Sequence, residues 1–220
     1  MIFADRTEAG RRLAAALETY APSHPVILAL PRGGVPVAAE IAQALGAPLD
    51  LLLVRKIGLP WQPELAIGAV VDGADPLIVR NEAIIAHAGV SEGDFQRACH
   101  EELAEIERRK ARYLSGRPRA PLAGRVVIVV DDGIATGATM KAALRAVRLR
   151  GPSKLVLAVP VAPADTVADL RPEVDALICL DTPEPFGAIG YFYTDFRQVG
   201  DEEVVAILAR FPSGAAAAGR

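Results

Sequence analysis

The sequence predicts an α/β protein with a mostly parallel, doubly wound sheet of about five strands. Short continuous apolar runs, such as those at residues 26–30 and 126–130, are typical of strands buried on both faces. Segments with helical spacing of apolar residues alternate with these runs. Of the 220 residues, 51% are hydrophobic and only 5% are aromatic, which suits helices packed on an aliphatic sheet.

The first quarter of the chain predicts a helix followed by one βαβ unit. Asp5 and Glu8 form a capping-box pattern that begins the first helix, and Pro36 begins the crossover helix. We expect this crossover to be right-handed, as nearly all connections between parallel strands of one sheet are. The predicted elements are a helix from 5 to about 20, a strand at 26–30, a loop at 31–34, a helix from 36 to about 46 and a strand at 49–54.

The middle of the chain is less regular and is predicted to be a helical insertion. Short strands at 65–71 and 77–79 predict a hairpin. Ser91, with Asp94 three residues later, begins a long amphipathic helix. We place the insertion at about 75–119.

The alternation of strands and helices returns after the insertion. We predict a single domain over residues 1–212 and a disordered tail at 213–220, where small residues offer nothing to pack. The later elements are strands at 125–130, 154–159 and 174–180, and helices at 137–150, 164–170 and 202–209.

Charge and hydropathy exclude several classes of partner. With 24 basic and 27 acidic residues, the net charge of −3 gives no electrostatic footprint for nucleic acid. Four glutamates precede the basic run at residues 108–110, which indicates a solvated helix face. No apolar stretch is long enough to cross a membrane, and the N-terminus has no signal-peptide pattern. We therefore expect a soluble, cytoplasmic protein without nucleic-acid or membrane partners.

The strongest functional signal is the segment 126–139, where an apolar strand ends in Asp131-Asp132 and a glycine-containing loop leads into a helix. Open α/β sheets bind ligands at the carboxyl ends of their strands. The helix start, with the hydroxyls of Thr136 and Thr139, suits a phosphate monoester. The two carboxylates suit sugar hydroxyls or a hydrated Mg²⁺ ion. The segment therefore predicts a sugar-phosphate site.

This segment resembles the phosphoribosyl pyrophosphate signature of type I phosphoribosyltransferases, with every position of that pattern filled. The resemblance implies that Asp131 and Asp132 hold the ribose hydroxyls and Mg²⁺ and stabilise positive charge during transfer. It also implies a C-terminal hood, at about 181–200, that binds the acceptor. The residues implied to hold the 5′-phosphate are Ala135, Thr136, Gly137, Ala138 and Thr139.

Three further segments receive roles from the same resemblance. Arg32, Gly33 and Gly34 stand where the family binds pyrophosphate, with a non-proline cis peptide expected at Pro31–Arg32 or Arg32–Gly33. A mobile catalytic loop is expected to begin at 55–64. Lys56 in this loop would either neutralise the departing pyrophosphate or be an ordinary surface lysine. The hood is rich in aromatic residues, which either pack its own small core or form a platform for the acceptor. Phe186 is the residue expected to stack on the acceptor.

The reaction implied is transfer of a 5-phosphoribosyl group from phosphoribosyl pyrophosphate to a nitrogen nucleophile, a nucleobase, with release of pyrophosphate. The hypoxanthine–guanine branch has an aspartate where this chain has Ala135, which argues against a 6-oxopurine acceptor. Two alternatives stay open: a non-catalytic sensor of phosphoribosyl pyrophosphate or nucleotides, and a pyrophosphokinase that makes the donor. The resemblance also leaves open whether the chain forms a homodimer.

Overall fold

The computed structural model describes residues 1–59, 61–73 and 76–211, without the side chains of residues 63 and 64. The predicted tail at 213–220 lies outside these residues. The strands are β1 (Val26–Ala29), β2 (Leu49–Leu51), β3 (Val54–Leu59), β4 (Gln62–Val71), β5 (Leu77–Arg80), β6 (Val126–Val130), β7 (Lys154–Val161) and β8 (Ala176–Asp181). The α-helices are α1 (Arg6–Leu17), α2 (Gly34–Leu45), α3 (Glu82–Ala88), α4 (Glu92–Leu114), α5 (Ala138–Arg148), α6 (Ala164–Leu170) and α7 (Asp201–Ala209). Short 3₁₀ helices lie at Glu18–Ser23, Arg171–Glu173 and Ile189–Phe192.

A five-stranded parallel sheet in the order β2-β1-β6-β7-β8 forms the centre of the molecule and confirms the predicted fold class. Successive residues of β6 face opposite sides, as the pleat of a strand requires. Ile128 and Val130 belong to the apolar core that includes α1 and α2, whereas Val127 and Val129 belong to the core that includes α5. Both faces of the sheet are therefore covered, which explains the continuous apolar runs.

The neighbouring positions of β1 and β6 determine where the loops meet. These strands pair in parallel from Val26 and Val127 to Ala29 and Val130. Because parallel strands end at the same edge of a sheet, the loop after β1 and the acidic pair after β6 emerge side by side.

A second sheet, antiparallel and in the order β3-β4-β5, differs from the sequence expectation. The hairpin of β4 and β5 was predicted, but β3 was not. Residues 55–59, expected to begin a mobile loop, belong to β3, where the buried Ile57 and Leu59 alternate with half-buried residues. The strand predicted at 49–54 is consequently two strands, β2 and β3. The unit added to the central sheet thus begins before the predicted insertion at 75–119, whose first residue lies outside the described part.

The N-terminal segment completes the hood. The Phe3 N–H donates to the Phe192 carbonyl at 2.8 Å, and the Thr194 N–H donates to the Phe3 carbonyl at 2.8 Å. Phe3 is fully buried there against Tyr193. Within the ranges described, no helix combines the length and apolarity that a membrane span requires.

Candidate active site

The loop after β1 lies directly against the acidic pair after β6. A Cβ on Gly33 would overlap the Asp132 carboxylate. A Cβ on Gly34 would lie 2.8 Å from the Val130 carbonyl oxygen and 2.9 Å from the Asp131 Cα, closer than real Cβ atoms approach. The peptide bond between Pro31 and Arg32 is cis, at one of the two positions expected. The two glycines therefore bring together the two segments that the sequence singled out.

The Asp132 carboxylate is buried and ion-paired. The Arg6 Nε donates to its Oδ2 at 2.7 Å, and the Arg6 Nη1 donates to the Arg197 carbonyl at 2.8 Å. The Arg6 guanidinium also lies 4.0 Å from the centre of the Phe196 ring. Arg6 was not predicted from the sequence, because it stands in an ordinary amphipathic helix and its partners are 126 and 191 residues away. This arginine joins α1, the acidic pair and the hood.

Asp131 has different surroundings from Asp132. It is half-buried, accepts the Asp132 N–H at 2.9 Å, and lines a cavity of about 260 Å³. Burial and the neighbouring Asp132 charge raise the pKa of Asp131 well above its usual range. Burial also raises the pKa of Asp132, although the Arg6 charge opposes that shift. Asp131 is therefore the member of the pair that a cation in this cavity would stabilise in its ionised form.

The cavity contains two predicted residues and two that sequence reasoning missed. Asp131 and Thr139 were predicted as site residues, whereas Arg55, at the start of the expected catalytic loop, and Arg109 were given no role in the site. Lys56 follows Arg55 on β3, so it points to the opposite face of the strand, and it is not among the residues that line the cavity. The complete lining is Leu30, Pro31, Leu52, Leu53, Val54, Arg55, Arg109, Asp131 and Thr139.

The loop that leads into α5 leaves the start of the helix open to solvent. Gly137 is in the left-handed region, at φ 75°, immediately before the first turn of the helix. The Thr166 hydroxyl donates to the Ala135 carbonyl at 2.8 Å and thereby ties the loop to α6. Ala135, Thr136 and Ala138 are exposed. The free N–H groups of the helix start are thus accessible to an anion from solvent.

Arg32 and Phe186 lie outside the cavity lining. The Arg32 Nη1 lies 3.5 Å from the Asp201 Oδ1, at the start of α7. The same carboxylate accepts a hydrogen bond from the Tyr113 hydroxyl at 2.5 Å, which connects α7 to α4. Phe186 is half-buried and packs on Phe192, with ring centres 5.2 Å apart. Two of the predicted ligand-contacting side chains are therefore engaged with other protein groups.

The residues beside the cavity fit a hydrated Mg²⁺ ion better than a fully protein-bound metal. The Asp131 carboxylate and the Thr139 hydroxyl supply oxygen atoms, the donor type that Mg²⁺ prefers. The Oδ2 of Asp132 is already paired with Arg6. Among the residues that the structure describes, no group of three or more His, Cys, Asp or Glu side chains is arranged to hold a metal. An ion here would be held by one protein carboxylate, water and phosphate oxygens of a ligand.

Comparisons with known proteins concern the family and the fold of the chain. The family model described as "Phosphoribosyl transferase domain" matches residues 5–190. A Mycobacterium tuberculosis protein named "Putative phosphoribosyl transferase Rv0571c" is 47% identical over 209 residues, which are 95% of this chain and 47% of that protein. The chain thus spans about half the length of the curated relatives it matches.

Solved structures share the architecture. The crystal structure of TT1426 from Thermus thermophilus is 42% identical and has a TM-score of 0.86, covering 97% of this chain and all of that one. A hypothetical protein from Neisseria gonorrhoeae with bound ppGpp is 15% identical, with a TM-score of 0.52, and covers 96% of this chain and 94% of that one. The similarity to the Neisseria gonorrhoeae protein concerns the fold alone.

Proposed function

Since this chain belongs to the phosphoribosyl transferase domain family, we propose that it transfers the 5-phosphoribosyl group of phosphoribosyl pyrophosphate to a nitrogen nucleophile. The observation that carries the proposal is the contact of Gly33 and Gly34 with the acidic pair. That contact joins a candidate pyrophosphate loop, a carboxylate for the ribose and a phosphate-binding helix start in one place. This geometry supports the function that the sequence resemblance implies.

The reaction exchanges one bond at the anomeric carbon for another. The C1–O bond to pyrophosphate breaks and its electron pair leaves with the pyrophosphate. The nitrogen nucleophile supplies the pair for the new C1–N bond, and a proton on that nitrogen passes to solvent. Positive charge develops on the ribose between these events, so a fixed negative group beside the sugar lowers the barrier.

Each part of the site has a role in this scheme. Asp131 accepts hydrogen bonds from the ribose hydroxyls and stabilises the cationic sugar. The start of α5, with Thr136 and Thr139, holds the 5′-phosphate. The backbone N–H group of Gly33 binds pyrophosphate, since the Gly34 N–H already donates to the Leu30 carbonyl at 3.1 Å. Asp132, through its pair with Arg6, fixes the position of that loop. A bound Mg²⁺ ion beside Asp131 would neutralise part of the pyrophosphate charge.

A nucleobase is the acceptor class we propose. The hood carries Phe186, Tyr191, Phe192, Tyr193 and Phe196 within eleven residues. Tyr193 is buried, whereas Tyr191 is 75% exposed, so the hood presents aromatic surface to solvent. Aromatic rings stack on the faces of bases without requiring a particular base. Ala135, where an aspartate would handle the proton of a 6-oxopurine, favours other bases.

The test is an assay of pyrophosphate release with labelled phosphoribosyl pyrophosphate, Mg²⁺ and a panel of nucleobases. We expect one base to accelerate release and to give a labelled nucleotide. Asp131→Asn should lower that rate at least tenfold, about 1.4 kcal/mol in the barrier, because it removes the charge beside the ribose. Asp169→Asn, an exposed position on α6, is the matched control and should keep the wild-type rate.

The outcomes separate the alternatives. Tight donor binding without product from any base would favour the sensor over the enzyme. A full rate in a folded Asp131→Asn variant would show that this carboxylate is structural. Absence of donor binding to the wild-type protein would contradict the whole assignment.

A further inference from the structure

A hydrogen bond from the hood holds the main chain of the acidic pair. The Tyr193 hydroxyl donates to the Asp132 carbonyl at 2.6 Å, and both residues are buried. We infer that Tyr193 is a positioning residue that holds the acidic pair in place for the ribose hydroxyls, so that the hood determines whether the site distinguishes ribose from deoxyribose. This inference rests on the proposed function and assigns its sugar specificity to a residue outside the signature segment.

The main chain of the acidic pair has left the hydrogen-bond ladder of the central sheet. The Val130 carbonyl, before the pair, accepts the Leu30 N–H at 3.0 Å. The Ile134 N–H, after the pair, donates to the Val161 carbonyl at 3.0 Å. Among the described residues, the backbone groups of 131–133 form no hydrogen bond with another backbone group. Their position therefore depends on side chains.

The bond from Tyr193 reaches the Asp131 carboxylate through a single residue. The hydroxyl fixes the carbonyl of Asp132, and the N–H of the same residue donates to the Asp131 Oδ1 at 2.9 Å. Asp131 is the carboxylate proposed to accept hydrogen bonds from the ribose hydroxyls. Because such bonds weaken steeply when distance or angle departs from the optimum, a shift of the Asp132 main chain would weaken them.

The side chain of Asp132 is held by the same part of the hood. The Tyr193 ring stacks on Phe196, with ring centres 5.0 Å apart, and the Phe196 ring lies 4.0 Å from the Arg6 guanidinium. Arg6 in turn donates to the Asp132 carboxylate. The contacts thus form a closed path from the carbonyl of Asp132 to its own carboxylate. Both ends of the residue depend on the stacked pair of Tyr193 and Phe196.

The hood also lies against the residue that follows the acidic pair. A Cβ on Gly133 would lie 2.6 Å from the Ile189 Cγ2 and 3.1 Å from the Val161 Cγ1. The absence of a side chain at Gly133 therefore allows Ile189 to approach the loop closely. Ile189 and Tyr193 together support two successive residues of the signature segment.

A packing role alone does not account for the hydroxyl of Tyr193. The ring of Tyr193 lies 5.5 Å from the Phe3 ring and 5.0 Å from the Phe196 ring, and a phenylalanine would keep both contacts. What the hydroxyl adds is one buried hydrogen bond to the carbonyl of the residue after Asp131. Its contribution is therefore to the position of the acidic pair.

A carboxylate placed for a hydroxyl distinguishes sugars that have this hydroxyl from sugars that lack it. A 2-deoxy sugar would leave the Asp131 carboxylate without one partner, and a site built to bond a hydroxyl strongly rejects the analogue without it. The 5′-phosphate, held at the start of α5, is the same in both sugars. The preference for ribose 5-phosphate over 2-deoxyribose 5-phosphate therefore reports the position of the acidic pair.

The experiment is calorimetric titration of the 220-residue chain, with Mg²⁺ present, with ribose 5-phosphate, 2-deoxyribose 5-phosphate and phosphoribosyl pyrophosphate. The wild-type protein should prefer the ribose form of the sugar phosphate at least tenfold. Tyr193→Phe should reduce that preference at least threefold, by weakening the binding of ribose 5-phosphate alone. Tyr191→Phe is the matched control, because Tyr191 belongs to the same hood, is 75% exposed and also loses only a hydroxyl. It should keep the wild-type preference.

Phe196→Leu provides a second test, which decides in the same way where Tyr193→Phe does not fold. It removes the stack between Tyr193 and Arg6, leaves the hydroxyl in place and should also reduce the preference at least threefold. Circular dichroism verifies the fold of each variant.

The outcomes separate the inference from the proposed function. A smaller reduction in folded Tyr193→Phe would overturn the inference and leave the proposed function standing. Equal losses for the two sugar phosphates would do the same, because the effect would not be confined to the sugar hydroxyl. So would a wild-type protein that binds phosphoribosyl pyrophosphate but shows no preference between the two sugars. A wild-type protein that binds neither phosphoribosyl pyrophosphate nor ribose 5-phosphate would instead contradict the proposed function itself.

Discussion

Gly33 occupies a position where a larger residue cannot stand without moving the acidic pair. Its missing side chain lets the loop after β1 touch the Asp132 carboxylate. The sequence indicates this only as an Arg-Gly-Gly run, which is common in ordinary turns. Only the structure shows that Gly33 lies against the Asp132 carboxylate, which a side chain at this position would displace.

Gly33→Ala should therefore destabilise the protein by about 1–3 kcal/mol, the usual cost of overpacking, and weaken donor binding. Denaturant unfolding measures the first effect and calorimetry the second. Gly93→Ala is the control. Gly93 lies in the first turn of α4, and the nearest atom to a Cβ at this position is 3.8 Å away. It should raise stability by about 0.4–1 kcal/mol. Equal stabilities for the two variants would show that the contact at Gly33 is loose.

Glu105 offers a test at low pH. Hydrogen bonds from Arg108 and Arg109 lower the pKa of Glu105 to about 2, from an ordinary value of 4.5. A carboxyl whose pKa is lowered by folding stabilises the protein above its unfolded pKa, and that stability is lost as the pH falls towards the folded pKa. Between pH 4.5 and about 2, the free energy of unfolding should fall more steeply for the wild-type protein than for Glu105→Gln.

The difference should stay below about 1 kcal/mol, because the Glu105 side chain is partly exposed and solvent screens its charge. Parallel curves for the two proteins over this pH range, in denaturant titrations at constant ionic strength, would contradict the assigned ion pairs.

At the level of elements, the connection of α1 to the end of β6 depends on one buried ion pair. Arg6→Met should cost about 3–5 kcal/mol, because it leaves the buried Asp132 charge without its partner. The double variant Arg6→Met with Asp132→Asn should lose less than the sum of the two single variants. Arg11→Met, on the same helix but paired with Glu40 at the surface, should change stability by less than about 1 kcal/mol. Additive losses in the double variant would exclude direct coupling.

The strands and helices around the site show how much of the fold the sequence predicts. β1 and β6 could be predicted because strands buried on both faces leave continuous apolar runs, and the acidic pair follows directly. β3 was missed because four of its six residues are only half-buried, and Arg55 and Lys56 interrupt the apolar pattern. Arg109 was placed on a solvated helix face because its charge pattern is that of one. Only the packing of α4 beside β3, through the pair of Arg55 with Glu102, brings Arg109 to the cavity.

At the scale of the whole molecule, Arg119 joins the two sheets. Its Nε lies 3.0 Å from the Asp50 Oδ2, in β2, and its Nη1 pairs with Asp72, which follows β4. Both carboxylates are buried, and the Leu53 N–H also donates to the Asp72 Oδ1 at 2.9 Å. The position of the second sheet, and of Arg55 on β3, depends on this network.

Arg119→Met should lower the free energy of unfolding by about 3–5 kcal/mol, since two buried carboxylates lose a shared partner. Denaturant unfolding, followed by circular dichroism, measures the loss. Arg145→Met is the control, because Arg145 is 51% exposed and its pair with Glu173 lies on the surface. Losses of equal size in the two variants would show that the network at Arg119 is no more important than a surface pair.

The pairing of Phe3 and Arg6 with residues 192–197 has a consequence for the order in which the protein is made. Arg6 is synthesised 191 residues before its partner Arg197, and Phe3 is likewise synthesised long before its partner Phe192. Domains synthesised from the N-terminus must wait for such distant contacts. Chains interrupted before residue 192 would carry the complete acidic pair while lacking the hood that anchors its arginine. The site is therefore complete only once residue 197 has been synthesised, and nascent fragments that end before it should be unable to retain the donor.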